Sequence, residues 1–263
     1  MKKTSKQKVV FIGSGNVATS LSKALRKNWD VIQVYSRSLS NARTLAREHN
    51  STFTNDLSKI YKEADIYIIA VKDDVLESVC KKLKLKGKMV IHTSGSTALK
   101  TLKNVSDTYG VMWPMYSFAG KKDLAKNIPF FVEASDKQTK AKLEGLVKEL
   151  KGKFYYMDSA QRAKIHMTAV FVNNFPNHLF AIAENLCKEA GIPFSLFLPL
   201  AKETVDNIAW QSPALCQTGP ASRNDKRILT KHRDLLKSHP DYLKIYGLLT
   251  NSIIKSANGR KKL

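Results

Sequence analysis

The sequence predicts an α/β fold, in which a doubly wound parallel sheet at the N-terminus is followed by an all-α C-terminal domain. Through residue 158, short β-branched and aromatic runs alternate with helix-patterned segments, which is typical of a parallel sheet with helices on both faces. From Ser159 onward the pattern contains helical segments only. We therefore expect one domain over residues 1–158 and a second over residues 159–263.

Seven apolar runs are expected to form the strands of this sheet. They lie at residues 8–12, 31–35, 65–71, 88–92, 108–113, 129–134 and 153–158. The run at 66–71 is almost continuously apolar, as expected for a parallel strand that is buried on both faces. Helices are expected between the strands, for example at 41–49 and 137–150.

The second half opens with a long segment, residues 160–191, that is apolar on more than one face of a helix. Such a segment is expected to be buried in a bundle or in a dimer interface. Pro176 lacks an N–H group and should kink or break this helix near its middle. Further helices are expected at 195–208, 223–236 and 240–255.

The composition of the 263-residue chain is strongly basic. It has 44 Lys and Arg against 22 Asp and Glu, a net charge of +22. The basic residues are scattered and no nucleic-acid-binding motif accompanies them, so the charge does not favour a nucleic acid as the partner. A basic surface also attracts small anions such as phosphate-rich nucleotides. Nucleic-acid binding is kept as an alternative, which a steep salt dependence would reveal.

The apolar runs and the cysteines predict the cellular compartment of the protein. No apolar run approaches the roughly 20 residues that span a membrane, and the run after the basic N-terminus stops at Gly13, too early for a secretory signal. Cys80, Cys187 and Cys216 are far apart and form no C-x-x-C pair. We therefore expect reduced thiols in a cytoplasmic protein without a metal site or a membrane partner.

A glycine-rich stretch, GSGNVA at residues 13–18, lies between the first predicted strand and a predicted helix. In a dinucleotide-binding turn, the first glycine permits the turn, the second lets a pyrophosphate approach the backbone, and a small third residue lets the helix pack. Gly13, Gly15 and Ala18 have this spacing. Because a helix N-terminus offers free N–H groups to phosphates, the expected cofactor-binding residues here are Gly13, Ser14, Gly15, Asn16 and Val17.

The end of the second strand predicts which dinucleotide binds. An acidic residue there would bind the ribose of NAD, but the sequence has Ser36, Arg37 and Ser38 instead. A guanidinium flanked by two hydroxyls suits a 2′-phosphate, with which it forms charge-assisted hydrogen bonds. We therefore expect NADP(H) as the cofactor. The alternative is an ordinary solvated arginine.

Two further loops follow strands at their carboxyl ends, where doubly wound sheets bind ligands. The loop at 70–74 is expected against the cofactor and its phosphates, and the loop at 92–97 is expected close to the nicotinamide. The residues expected to contribute are Ala70, Val71, Lys72, Ser94 and Gly95. His92 ends a buried strand and is interpreted as a hydrogen-bonded core histidine rather than a catalyst.

Polar residues recur on the otherwise apolar segment after Ser159. His166 and Asn173 are seven residues apart, which places them within about 20° of each other on a helix, and Asn174 lies about 80° from His166. A polar stripe on an apolar helix needs polar partners or a polar ligand. The stripe predicts catalytic groups in a cleft; the alternative is a satisfied polar pair at a subunit interface.

A second polar cluster lies at residues 218–232. Ser222 or Asn224 is expected to cap the following helix, which needs no further function. Arg223 at the helix start favours capture of an anion, such as a substrate carboxylate. An ordinary surface pair between Arg223 and Asp225 is the alternative.

The whole chain resembles the NADP oxidoreductases of the 6-phosphogluconate dehydrogenase-like superfamily, in the group of pyrroline-5-carboxylate reductase and the deazaflavin-dependent NADP reductases. It is most similar to the branch with a C-terminal helical domain of unknown function. The resemblance implies a Rossmann-type cofactor domain, an all-α dimerisation domain and an active site between the two. It rests on the segments IGSGNVA, IAVKDD, HTSGS, WPMYSFA, KIHMTAVFVNNF and TGPASRND.

The sequence departs from this group at catalytic positions. The wider group has a Lys followed one turn later by Asn, whereas Lys164 is followed by Thr168. His166 and Asn174 match the His and Asn of the Tyr-His and Ser-Asn pairs in the closer branch, although Ile165 and Asn173 replace the Tyr and Ser. The resemblance therefore predicts the fold and the cofactor better than it predicts the reaction.

Together these features predict an NADP(H)-dependent oxidoreductase that transfers a hydride between nicotinamide and a small carbonyl or imine substrate. His166 is the candidate general acid/base. Asn173 and Asn174 are expected to orient the substrate, and Arg223 to bind a carboxylate. A homodimer through the helical domain is expected. The alternative is a non-catalytic NADPH-binding sensor or assembly module, which the missing Lys-Asn pair favours.

Overall fold

The computed structural model describes residues 6–120 and 123–260. The chain forms two compact units, which divide between Asn174 and Phe175. The boundary expected at residue 158 stays a prediction, but the helix that follows it belongs by its packing to the first unit. Within the described residues, no helix is long and apolar enough to cross a membrane.

The first unit is built on one eight-stranded sheet. The strand order is β3-β2-β1-β4-β5-β6-β7-β8, and all neighbours are parallel except β6 and β7, which are antiparallel. The strands are β1 (Gln7–Ile12), β2 (Trp29–Tyr35), β3 (Thr52–Thr54), β4 (Ile66–Ile69), β5 (Met89–His92), β6 (Thr108–Pro114), β7 (Pro129–Ala134) and β8 (Lys153–Tyr156).

The predicted α/β class is confirmed, and each of the seven predicted runs forms a strand. The sequence did not reveal β3, because its three residues, TFT, have no apolar pattern. The reversal at β7 was also not predicted. A parallel connection needs a crossover of a dozen or more residues, usually a helix, and the connection from β6 to β7 has no helix in residues 115–120 and 123–128. Strand β7 therefore runs antiparallel to β6.

Among the described residues, five α-helices belong to the first unit. They are α1 (Asn16–Leu25), α2 (Leu39–Arg47), α3 (Asp73–Lys82), α4 (Lys137–Glu149) and α5 (Ser159–Ala169). The helices expected at 41–49 and 137–150 correspond to α2 and α4, within two residues at each end.

Both faces of the sheet are covered by apolar side chains, as a doubly wound sheet requires. In β1, Val9 and Phe11 are buried in one core cluster, while Val10 and Ile12 are buried in the other. β4 alternates in the same way. Side chains of a strand point alternately to opposite faces, so the central strands are buried completely and the loops at their ends are free to bind ligands.

The helical second unit begins at Phe175. Its helices are α6 (Phe175–Glu189), α7 (Leu198–Trp210), α8 (Lys226–Leu235) and α9 (Pro240–Arg260). The predicted break near Pro176 is a π-helical segment, Val170–Asn174, between α5 and α6. Proline cannot donate the helical hydrogen bond and its ring clashes with the carbonyl four residues earlier, so the widened turn lies just before it.

Helix α5 is anchored to the sheet by a buried ion pair. The guanidinium of Arg162 is fully buried and bonds the carboxylate of Glu133 in β7. It also donates to the carbonyl of Thr97 at 2.5 Å. The hydroxyl of Ser159 donates to the same Glu133 carboxylate at 2.7 Å and accepts from the N–H of Leu99 at 3.0 Å. One charged pair therefore joins α5, β7 and the loop after β5.

Neutralising Glu133 is predicted to destabilise the protein strongly, because Arg162 would remain as an unpaired buried charge. Glu133→Gln should lower the free energy of unfolding by about 3–5 kcal/mol, measured by urea denaturation. The matched control is Glu63→Gln, which removes a surface pair with Lys88 and should cost about 1 kcal/mol or less. Equal losses in the two variants would contradict the structural importance of the buried pair.

Candidate functional site

The glycine turn after β1 is the starting point of the site. Gly13 has a φ of +124°, a conformation that residues with a side chain rarely adopt. A Cβ at this position would lie 2.0 Å from the carbonyl oxygen of Ala70. The N–H of Gly13 donates to the carbonyl of Tyr35 at 2.8 Å. The turn is therefore fixed against the ends of β2 and β4, and only glycine fits.

The N-terminus of α1 faces open space. Gly15 is the N-cap, no side chain caps the helix, and the first turn has no acidic residue. A Cβ at Gly15 would meet no atom within 4 Å. The first N–H groups of a helix have no partner within it, and the helix dipole favours an anion beside them. The local backbone therefore fits the pyrophosphate of a dinucleotide.

The end of β2 carries an exposed arginine. Ser36 donates its N–H to the carbonyl of Thr54 at 3.1 Å. The hydroxyl of Ser38 accepts from the N–H of Asn41 at 3.3 Å and so caps α2. Arg37 is exposed and forms no ion pair with any described residue. It lies two residues after Tyr35, whose carbonyl accepts the N–H of Gly13, and its role at a 2′-phosphate stays a prediction.

A cleft of about 510 Å³ lies at the carboxyl ends of the central strands. We call it the nucleotide cleft. It contains eight of the residues expected at the cofactor, together with Asp73, Thr93, Phe118, Ala119, Trp113 and His166. The eight are Gly15, Asn16, Val17, Ala70, Val71, Lys72, Ser94 and Gly95. Its volume is within the range of ligand pockets in proteins.

Ser94 determines the shape of the loop after β5. Its hydroxyl accepts from the N–H of Thr97 at 2.9 Å and from the N–H of Ser96 at 3.2 Å, and it donates to the hydroxyl of Thr97 at 2.9 Å. Ser96 in turn donates to the carboxylate of Asp73, the first residue of α3, which directly follows the loop after β4. The side chain of Ser94 is thus used within the loop, and the two loops are tied together.

His92 is hydrogen-bonded to the same loop. It is completely buried, and its Nδ1 accepts the N–H of Ser94 at 3.2 Å. Burial, reinforced by the charge of Arg162, lowers its pKa to about 3. The ring is therefore neutral around physiological pH, which agrees with its interpretation as a core histidine.

Gly95 allows two rings to approach the loop closely. A Cβ at Gly95 would lie 2.6 Å from Cδ2 of His166 and 2.7 Å from Cε2 of Trp113. The two rings have centroids 5.4 Å apart and are tilted by 55°. Arg162 lies one helical turn before His166 on α5 and holds that helix to the loop. The imidazole is therefore held over the loop expected at the nicotinamide.

A second cavity, of about 600 Å³, adjoins the same two rings. We call it the apolar cavity. His166 and Trp113 line both the nucleotide cleft and the apolar cavity. Asn173 and Asn174, in the π-helical segment, line the apolar cavity as well. The structure therefore brings three of the four predicted catalytic residues to one cavity. Its other lining residues are Met115, Tyr116, Ser117, Phe131, Ile165, Thr168, Ala169, Val170 and Val172.

Arg223, the fourth predicted catalytic residue, belongs to the second unit. It is exposed and forms no ion pair with the described residues, so the alternative pair with Asp225 does not form. Asp225 instead caps α8 by accepting from the N–H of Ile228 at 3.2 Å. The role of Arg223 stays a prediction.

Sequence reasoning did not identify Trp113, Arg162 or Glu133 as parts of the site. Trp113 could have been found, because it lies near the carboxyl end of β6, the strand beside β5, and ligands bind at such ends. No local pattern marks the pair of Arg162 and Glu133, which are 29 residues apart. In the described chain, no group of three or more His, Cys, Asp or Glu could hold a metal ion.

Comparison with protein families finds two matching families, and the second match begins within the first structural unit. Residues 8–95 match the family described as "NADP oxidoreductase coenzyme F420-dependent". Residues 128–253 match a domain of unknown function, DUF2520. No curated protein matches this sequence.

Three solved structures illustrate the similarity. One from Bacteroides fragilis, which its description assigns to the NADP oxidoreductases, is 35% identical, with a TM-score of 0.87 over 95% of this chain and 98% of that one. A reductive aminase from Aspergillus terreus, in complex with NADPH and ethyl levulinate, is 16% identical, with a TM-score of 0.71 over 95% of each chain.

The third is 1-pyrroline-5-carboxylate reductase from Streptococcus pyogenes. It is 16% identical, with a TM-score of 0.60 over 97% of this chain and 99% of that one. At this identity it shares the fold alone, as does the reductive aminase. The Bacteroides structure, in contrast, is similar in sequence along nearly its whole length. The chain therefore belongs to the NADP oxidoreductase family in which a Rossmann-type cofactor domain is followed by the DUF2520 domain.

Proposed function

We propose that the protein transfers a hydride between NADP(H) and the carbon of a small carbonyl or imine compound that binds in the apolar cavity. The observation that carries this proposal is the position of His166 and Trp113, which line both the nucleotide cleft and the apolar cavity. When bound, NADP(H) supplies the hydride chemistry. The residues of the chain bind and orient the two reactants and handle a proton.

The nucleotide cleft is suited to orient the cofactor. The free N–H groups at the start of α1 bind the pyrophosphate, and Arg37 binds the 2′-phosphate. Ala70 and Val71 lie against the cofactor, Lys72 faces its phosphates, and the loop of Ser94 and Gly95 lies close to the nicotinamide ring. The support for these assignments is that Gly13 is held in a turn that only glycine allows and that the helix behind it is uncapped.

His166 is the proposed general acid/base. In the direction of reduction, its imidazole donates a proton to the carbonyl oxygen or imine nitrogen, and in the reverse direction it accepts that proton. The side-chain amides of Asn173 and Asn174 bind the same polar group of the substrate and orient it. The three side chains line one cavity, which supports a joint role. Lys164 and Thr168 do not replace the Lys and Asn pair of the wider group, since Thr168 donates its hydroxyl hydrogen to the backbone carbonyl of Lys164 at 3.0 Å.

We also propose that two copies of the chain associate through the helical unit. The described residues of this unit expose large apolar side chains, among them Trp210 at 90% and Leu200 at 65% of their full surface. Soluble monomers rarely expose extended apolar surface, and a second copy would cover it without requiring another protein.

The free cysteines fit the expected cytoplasmic location, which stays a prediction.

Replacing His166 is predicted to impair turnover but not cofactor binding. His166→Ala should lower kcat by about 100- to 10 000-fold in an NADPH-oxidation assay over a panel of small ketones, aldehydes and cyclic imines. The matched control, His239→Ala, should stay within about twofold, because His239 pairs with Glu189 in the second unit. Unchanged kcat in H166A would remove His166 from the mechanism. Stoichiometric NADPH binding without turnover by the unmodified protein would favour the non-catalytic sensor instead.

Replacing Arg37 is predicted to affect NADPH selectively. Arg37→Ala should raise the Kd for NADPH at least about tenfold, the loss of one charge-assisted interaction, and should leave the Kd for NADH unchanged. Arg43→Ala is the matched control, since Arg43 is an exposed arginine of α2 that lies over the ring of Phe53 in β3. Thermal stabilisation by the four nucleotides gives the readout. Equal weakening of NADH would contradict a role at the 2′-phosphate.

The association proposal predicts a mass of twice the 29.5 kDa chain at micromolar concentration, measured by light scattering or sedimentation. The double variant L200D/W210D should be monomeric, because burying two carboxylates in an apolar interface is costly. Leu39→Asp changes an exposed leucine of the first unit and should leave the dimer intact. A monomeric unmodified protein would contradict the proposal, as would a dimeric double variant.

A further inference from the structure

The apolar cavity has no charged lining residue within the part of the chain that the structure describes. Its polar lining side chains are neutral hydroxyls and amides, together with the imidazole of His166. A carboxylate placed here would find no Lys or Arg side chain among these lining residues, whereas the aromatic rings favour an uncharged apolar group. We therefore expect the cavity to discriminate by charge as well as by shape.

One wall of this cavity is aromatic and rigid. Trp113 of β6 and Phe131 of β7 have ring centroids 5.4 Å apart with a tilt of 30°, and both are almost completely buried. Phe131 also packs against Tyr155, with centroids 5.6 Å apart. Because the rings are held by their neighbours, they offer a preformed apolar surface and lose little freedom when a ligand binds.

Most of the polar groups of the cavity come from one segment of the chain. His166, Asn173 and Asn174 come from the consecutive stretch of α5 and the π-helical segment. The hydroxyl of Thr168 already bonds within the helix. A ligand in the cavity thus meets both hydrogen-bonding groups and aromatic rings. This arrangement fits a molecule with one polar reacting group and an apolar body.

We infer that the substrate is a neutral carbonyl or imine compound whose reacting carbon carries an apolar cyclic or aromatic group, and that a carboxylate on this carbon weakens binding. The inference deepens the proposed function and relies on it for the reaction, while the selectivity of the cavity is a binding property. It opposes the sequence-based expectation that Arg223 binds a substrate carboxylate.

A matched pair of ligands tests this inference directly. Methyl benzoylformate and benzoylformate share the phenyl ketone and differ in the ester or carboxylate beside it. Each is titrated calorimetrically into the full-length protein without cofactor, so that no reduction occurs and no positively charged nicotinamide is present. We expect the ester to bind at least tenfold more tightly than the acid. Equal binding, tighter binding of the acid, or no binding of the ester up to its solubility would overturn the inference.

Introducing a cation into the cavity should reverse the preference. Val172 lines the cavity and is 73% exposed, so Val172→Lys should fold normally. It should tighten binding of the acid and shift the ratio of the two Kd values at least tenfold towards the acid. Met167→Lys is the matched control, because Met167 is 58% exposed on α5 and is not a lining residue. An unchanged ratio in V172K would show that the ligands bind elsewhere and would overturn the inference.

Two further measurements separate this inference from the proposed function. If the ester binds selectively but NADPH is not oxidised in its presence or with any carbonyl or imine tried, the hydride-transfer proposal fails and the cavity selectivity stands. If the acid binds more tightly and Arg223→Ala abolishes that preference, Arg223 is the carboxylate anchor and the inference fails while hydride transfer can still be correct.

Discussion

The buried pair of Arg162 and Glu133 is the interaction on which the geometry of the site depends. A fully buried guanidinium is tolerated only when a counter-charge and hydrogen-bond acceptors surround it. Here the counter-charge comes from β7 and an acceptor from the loop after β5, while Arg162 itself belongs to α5. Rotation or sliding of α5 would break these bonds. The helix is therefore fixed relative to the sheet, and so is His166 one turn later.

The close contact at Gly95 follows from this anchoring. With α5 fixed, the ring of His166 lies where a Cβ at Gly95 would clash with it, and the ring of Trp113 occupies the adjacent position. The two rings thus form a shared border of the nucleotide cleft and the apolar cavity. In the proposed reaction, nicotinamide and substrate meet beside this border, where an imidazole is already within reach of both. Positioning of this kind lowers a barrier without further chemistry from the protein.

The sequence predicts those features that depend on local pattern. The strands of the sheet follow from apolar runs, and the turn at Gly13 follows from the spacing of small residues. The direction of β7 depends instead on a connection without a helix, and β3 is too short and polar to show a pattern. The contact of Arg162 with Thr97 joins residues 65 positions apart. Contacts between residues so far apart produce no periodic pattern in the sequence, so the attachment of α5 to the sheet could not be predicted.

The two asparagines show how a small irregularity in a helix completes the site. On a regular α-helix, Asn174 would lie about 80° away from His166, whereas Asn173 would lie almost directly in line with it. The π-helical segment that Pro176 imposes widens the last turn, and both amides line the apolar cavity with His166. Four of the six lining residues with hydroxyl, amide or imidazole groups thus come from residues 166–174, while the paired rings of Trp113 and Phe131 come from β6 and β7. In the proposed reaction, proton handling belongs to α5 and selection of the apolar body of the substrate belongs to β6 and β7, so the two tasks are divided between separate segments of the chain.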